Sequence, residues 1–111
     1  MPADTLTLAL SEDAYQGDAQ FIVKVDGTQL GAAQSVTAPN SAGQTQTFSY
    51  SGSWGAGSHN VEIDFLNDAY GGPGQDRNLY VDQVTYDGKA AMSQPSPLYA
   101  NGGVTIPIGQ S

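Results

Sequence analysis

At 111 residues, 39% of them apolar, the chain has room for one domain with a modest core. Three basic residues against eleven acidic ones give a net charge of −8, which repels phosphate backbones and anionic membrane surfaces and makes cations the natural counter-charge. With no cysteine, disulfides, thiol catalysis and cysteine-ligated zinc are excluded, and the single histidine, His59, rules out any site that needs two imidazoles.

Taken in chain order, Leu6, Leu8 and Leu10 alternate with Thr7, Ala9 and Ser11, the period of a half-buried strand. Phe21, Val23 and Val25 repeat that period and end at Asp26-Gly27, a hairpin signal. A weaker strand is expected from Gln29 to Val36, then a loop from Thr37 to Gly43 rich in Pro, Asn and Gly. Thr45 to Ser51 alternates again, with Phe48 and Tyr50 on one face, and Gly52 to Ser58 forms a turn carrying Trp54. Val61, Ile63 and Phe65 mark the next strand. Leu79, Val81, Val84 and Tyr86 mark another, closed by Asp87-Gly88. A last short strand is expected from Gly103 to Ile108, and Pro95, Pro97 and Pro107 keep that region out of a sheet centre. No apolar pattern has helical period, and no run of eighteen apolar residues offers a membrane span. The expected fold is all-β: a single-domain antiparallel β-sandwich, jelly-roll-like or immunoglobulin-like in strand order, with residues 1–4 and 109–111 as loose ends. Met1-Pro2-Ala3-Asp4 lacks the basic start and apolar stretch of a signal peptide, so an excised module, or one exported by a signal outside these residues, is expected.

Function is concentrated in one segment, Asn67-Asp68-Ala69-Tyr70-Gly71-Gly72-Pro73-Gly74-Gln75-Asp76-Arg77-Asn78, followed by Asp82. Carboxylate and amide oxygens on a glycine-rich turn suit a hard cation such as Ca²⁺, which takes six to eight oxygens in irregular geometry. The run Ser11-Glu12-Asp13-Ala14-Tyr15-Gln16-Gly17-Asp18 echoes it, with Asp-Ala-Tyr followed by Gly and Asp. Six of the eleven acids (Glu12, Asp13, Asp18, Asp68, Asp76 and Asp82) fall in or beside these two loops, whereas a merely soluble surface spreads its charge. The competing reading of each loop is a set of Asx-turns capping backbone groups. Gly71-Gly72-Pro73-Gly74-Gln75-Asp76 matches the start of a calcium-binding nonapeptide, but it occurs once, and such repeats work as stacked arrays.

Phe65-Leu66-Asn67-Asp68, Asp76-Arg77-Asn78-Leu79-Tyr80-Val81-Asp82 and the later Val and Asp87-Gly88 resemble the calcium-dependent carbohydrate-binding modules of family 60. These are xylan-binding domains related by circular permutation to family 36. The run Gly17 to Gly27 resembles the family's early strand and turn, and the likeness spans roughly residues 5 to 90. The resemblance implies a β-sandwich without catalytic machinery, secreted with polysaccharide-active enzymes or large exported proteins, in which a loop-bound Ca²⁺ coordinates adjacent sugar hydroxyls. Carried onto this chain, Asp68, Asp76 and Asn78 are the matching loop positions, with Asp82 just behind. The long glycine-rich stretch from Ala69 to Gln75 and the missing cysteines depart from the family's pattern.

The candidate metal ligands are therefore Asp68, Asp76, Asn78, Asp82, Asp18, Asp13, Glu12 and Asn67, for one or two Ca²⁺ ions. Tyr70 and Tyr15, at matching positions of the echo, are candidate sugar platforms, since an aromatic face stacks on the C–H surface of a pyranose. Trp54 is either a further platform or a packed corner residue. Arg77, the chain's lone arginine, is expected to pair with a neighbouring carboxylate or to contact the sugar, and His59 to be a surface or capping residue. The expected function is Ca²⁺-dependent binding of a polysaccharide, xylan-like or galactan-like, by a secreted, monomeric module of a larger protein. The alternative is a Ca²⁺-stabilised adhesive module with a protein partner. Enzymatic activity is not expected: carboxylates neutralised by a cation are poor acids, and no nucleophile elbow is present.

Overall fold

The computed structural model describes residues 4–52, 54, 57–92 and 94–109. Eleven strands form two antiparallel sheets: β1 (Asp4–Asp13), β2 (Ala19–Val25), β3 (Thr28–Gln29), β4 (Gln34–Val36), β5 (Gln46–Gly52), β6 (His59–Phe65), β7 (Ala69–Gly72), β8 (Gln75–Tyr86), β9 (Lys89–Ala90), β10 (Ser96–Leu98) and β11 (Gly102–Ile108). One sheet runs β10-β8-β1-β5, with β7 and β9 also paired to β8. The other runs β11-β6-β2-β3, with β4 also on β2. Two sheets face to face make the expected β-sandwich. The loose ends expected at 1–4 and 109–111, and the turn around Trp54, lie partly outside the described residues.

The period-two residues meet between the sheets. Leu6, Leu8, Leu10, Leu79, Val81 and Val84 from one sheet close on Phe21, Val23, Val25, Val61, Ile63, Phe65, Ile106 and Ile108 from the other, all buried. The Phe21 and Phe48 rings meet edge-on at 4.9 Å. Asp26-Gly27 and Asp87-Gly88 take positive φ at both positions (51° and 85°, 49° and 82°), the geometry of a two-residue hairpin turn. The proline-bearing strands β10 and β11 both lie at sheet edges, where a missing N–H is tolerated.

Three elements differ from expectation. The stretch from Gln29 to Val36 is two short strands, β3 and β4, both paired to β2. A 3₁₀ turn at Asn40–Ala42 interrupts the loop before β5. The segment from Ala69 to Arg77, read as a loop, is a β-hairpin in which Ala69 faces Arg77 and Tyr70 faces Asp76. Its Gly, Pro and Asp content hid the ladder from composition, because pairing with β8 rather than propensity sets it. Strand β8 thereby reaches twelve residues and carries the acidic segment out beyond the core.

Candidate functional site

Registers fix which side chains share a face. Asp13 on β1 is opposite Asn78 on β8, and Ser11 is opposite Tyr80. Leu79 and Val81 point into the core, so Asp76, Asn78 and Tyr80 project from the outer face of the sheet. On the other side of β8, Tyr70 is opposite Asp76 and Ala69 is opposite Arg77, with Asp68 the residue just before β7. The outer face therefore carries a row of Asp13, Asn78 and Asp76 with Tyr70 beside it, and Asp68 enters at the start of the hairpin. Cross-strand neighbours of this kind have Cβ atoms roughly 5 Å apart.

Hydrogen bonds orient the row. Asn78 Nδ2 donates to Asp13 Oδ2 at 3.0 Å, and the Tyr80 hydroxyl donates to the same oxygen at 2.5 Å. A carboxylate only accepts, so the amide must turn its nitrogen to Asp13 and its Oδ1 away. That Oδ1 is buried and has no hydrogen-bond partner among the described residues, and the same is true of Asp68 Oδ1. Buried polar atoms are nearly always paired, and leaving one unpaired costs about 1–3 kcal/mol. The Asp68 backbone is tied by its N–H to Asn101 Oδ1 at 2.6 Å. Burial, and then the bond to Asp13, hold the Tyr80 phenol far above its ordinary range, so Tyr80 is a fixed donor.

Beside the row opens a cleft of about 470 Å³, lined by Glu12, Asp13, Ala14, Pro39, Ser41, Gly74 and Asp76. Asp82 is the extra residue of a β-bulge on β8, between the pairs Ala9–Gln83 and Leu10–Val81. It accepts from the Ser11 hydroxyl at 2.7 Å, and that hydroxyl accepts from Asn40 Nδ2 at 3.0 Å, which fastens the 3₁₀ turn as one wall. Tyr70 and Tyr99 are 67% and 60% exposed, the largest apolar surfaces near this end. Tyr99 stands edge-on to Tyr80 with ring centres 6.1 Å apart.

The other candidates are arranged differently. Glu12 is buried, with Oε1 accepting the Ala19 N–H at 2.6 Å. Its carboxyl is pushed up to about 7 by burial and by the Asp18 carboxyl bonded to it, against the pull of the Ala19 N–H and Arg77. Asn67 spends its side chain on backbone: Oδ1 accepts from Gln20 N–H at 2.8 Å and Nδ2 donates to Asp18 O at 3.0 Å. Tyr15 is half-buried, its hydroxyl pressed over Gly71 so closely that a Cβ there would collide with it.

One expectation is corrected, and Trp54 takes the packed alternative. Among the described residues Arg77 pairs with no carboxylate; its guanidinium donates to the backbone carbonyls of Tyr15, Gln16, Gly17 and Asn67. Its side chain leaves the opposite face of β8 from Asp76 and Asn78, and the carbonyls there reach it first. Trp54 is not beside the row. Its N–H is held by Asp4 Oδ2 at 3.1 Å and its ring lies 6.1 Å from that of Tyr86, against the core. Asp4 and Asp13 are the two ends of β1, about 30 Å apart at the rise of a strand. His59 meets Asp26 Oδ2 at 2.6 Å, also at that far end.

Tyr99 and Asn101 lie outside the acidic runs, so composition gave no signal for them, while Ser11 and Tyr80 lie within those runs as uncharged residues. Tyr80 was open to detection, since it alternates with Asn78 and Asp82 on one strand. Tyr99 and Asn101 come from a segment that only the tertiary fold brings to β8 and Asp68. Among the described residues, no three His, Cys, Asp or Glu side chains gather tightly enough to hold a metal alone.

Two packed antiparallel sheets with a polar cleft at one end define a β-sandwich module. The profile of the Ca-dependent, xylan-binding carbohydrate-binding module family CBM60 matches residues 5–101, and the chain belongs to that family. A solved structure of vCBM60 in complex with galactobiose is similar in fold, with a TM-score of 0.66 and 16% identity over 94% of this chain and 99% of that one. Among curated proteins none matches the chain.

Proposed function

We propose that this carbohydrate-binding module is non-catalytic and grips a polysaccharide through a Ca²⁺ ion held by Asp68 and Asn78. The observation that carries this reading is the pair of buried oxygens without a partner among the described residues, Asp68 Oδ1 just before β7 and Asn78 Oδ1 on β8. A cation satisfies both at once, and the hard-oxygen donor set fits calcium. The family description, Ca-dependent and xylan-binding, supports the same assignment. Bound there, Ca²⁺ supplies coordination positions that adjacent sugar hydroxyls fill in place of water.

The chain's own residues do the rest. Asp13 holds the Asn78 amide with its oxygen outward. Asp76 adds negative charge from the same face, and Asp82 secures the cleft wall through Ser11. Tyr70 and Tyr99 offer exposed ring faces to the C–H surfaces of a pyranose, which lose little hydration on stacking. Glu12, the acid raised toward neutral pH, lines the cleft but is only 2% exposed, with Oε1 engaged by the Ala19 N–H. That supports binding without catalysis.

Xylan is the first ligand class by the family's description, and a galactan-like glycan is second because the similar vCBM60 is in complex with galactobiose. The module is read as secreted, monomeric and part of a larger polysaccharide-directed protein. Calorimetric titration with xylo-oligosaccharides and galactobiose, in Ca²⁺ and after EDTA, tests the reading. Heat that vanishes on chelation and returns with Ca²⁺ supports it. If EDTA lowers the melting temperature while no glycan binds, the adhesive, Ca²⁺-stabilised alternative replaces it.

A further inference from the structure

Arg77 is the chain's lone arginine, and among the described residues its guanidinium hydrogen-bonds to carbonyl oxygens. Nη1 donates to Asn67 O at 2.6 Å, Nη2 to Tyr15 O and Gln16 O at 2.7 Å each, and Nε to Gly17 O at 3.3 Å. Four backbone oxygens from two segments some fifty residues apart converge on one cation, which is the donor set that a hard metal ion would otherwise find. The loop is bent to make this cage. Gln16 takes φ 53° and Gly17 φ 122°, and a Cβ on Gly17 would stand 3.3 Å from Nη2. The carbonyls of Tyr15, Gln16 and Gly17 thus turn to the same side.

We propose that Arg77 is the built-in cation of the Ala14–Asp18 loop, standing where a structural metal ion would, and that it acts as a positioning residue for the glycan site. The second half of this inference rests on the Ca²⁺ reading above; the first half does not. Arg77 lies between Asp76 and Asn78 on β8, pointing to the opposite face. Anchoring its side chain on the first loop fixes the rotation of the strand, and so fixes where the Asp76 and Asn78 oxygens stand. The guanidinium also bonds Asn67 O, one residue before Asp68, so both halves of the hairpin are referred to the same cation. Lysine cannot substitute, because a single ammonium on a flexible stem does not span a planar fork of carbonyls.

The test uses Arg77→Met and Arg77→Lys beside the wild type, with Ca²⁺ affinity, glycan affinity and melting temperature measured with and without millimolar guanidinium chloride. Arg77→Met is expected to bind Ca²⁺ and glycan at least about 10-fold more weakly while still folded, as groups behind a metal's ligands typically do. Guanidinium is expected to restore part of that loss, and Arg77→Lys to resemble Arg77→Met. Melting is expected to fall in both variants and to be rescued by guanidinium in EDTA as well as in Ca²⁺. That last arm judges the built-in cation even if the wild type binds no glycan. Wild-type Ca²⁺ affinity in Arg77→Met would overturn the positioning role. Melting that guanidinium does not raise, or full recovery by lysine, would overturn the cation cage.

Discussion

The two acidic loops look alike in sequence and are opposite in structure. Each carries Asp-Ala-Tyr, yet the first is closed on itself and the second is left open. In the first, Glu12 holds the Ala19 N–H and is bonded to Asp18, Tyr15 covers Gly71, and three successive carbonyls are filled by Arg77. In the second, Asp68 and Asn78 each bury an oxygen with no partner among the described residues, and Tyr70 stands 67% exposed. On the function proposed above, the same residue types serve stability where their polar groups are satisfied and ligand binding where they are not. Hydrogen-bond satisfaction, not the count of carboxylates, separates a staple from a site.

The largest effect is expected from Asp68→Ala. It removes a charged oxygen and should weaken glycan binding at least about 100-fold, beyond calorimetric detection for a ligand of moderate affinity. Melting in EDTA should change little, because the lost contact is to the ion. Tyr15→Ala and Tyr70→Ala should split. Tyr70→Ala should cost about 1 kcal/mol of glycan affinity and leave melting unchanged, while Tyr15→Ala should cost about 1–3 kcal/mol of stability by opening the contact over Gly71. Equal behaviour of the two would erase the contrast between the loops.

A smaller effect is carried by pH. The folded-state carboxyl of Glu12 is raised above its ordinary value of 4.5 to about 7, so the native state holds a proton that the unfolded chain releases. This contribution is fully present below pH 4.5 and is lost as pH rises through about 7. Melting in EDTA should therefore fall between pH 5 and pH 8, and Glu12→Gln should flatten that slope. The smallest expected effect is that of Trp54→Phe on glycan binding, because Trp54 packs near Tyr86 at the other end of β1. Its melting temperature should drop while affinity holds.

Much of the sandwich was legible because its strands alternate strictly: Leu6-Leu8-Leu10, Phe21-Val23-Val25 and Val61-Ile63-Phe65 all point inward as their period requires. The two Asp-Gly turns were legible because few dipeptides accept two positive φ values in succession. The hairpin of β7 and β8 was not, since Tyr-Gly-Gly-Pro-Gly carries loop composition and only the register with β8 makes it a ladder. Within the site, the acidic residues announced themselves by clustering. Which of them face one another depends on the pairings of β1, β7 and β8, and no local pattern encodes those. Arg77 shows the limit plainly: a lone cation among acids suggests an ion pair, and its backbone partners are invisible until residues 15–17 and 67 meet it in space.

The most direct measurement is the number of Ca²⁺ ions bound per folded chain, by calorimetry, in the wild type and in Asp68→Asn. The account predicts a single ion in the wild type and none in the variant, because the first loop already holds its cation in Arg77. Two ions in the wild type, or one that survives in Asp68→Asn, would contradict it.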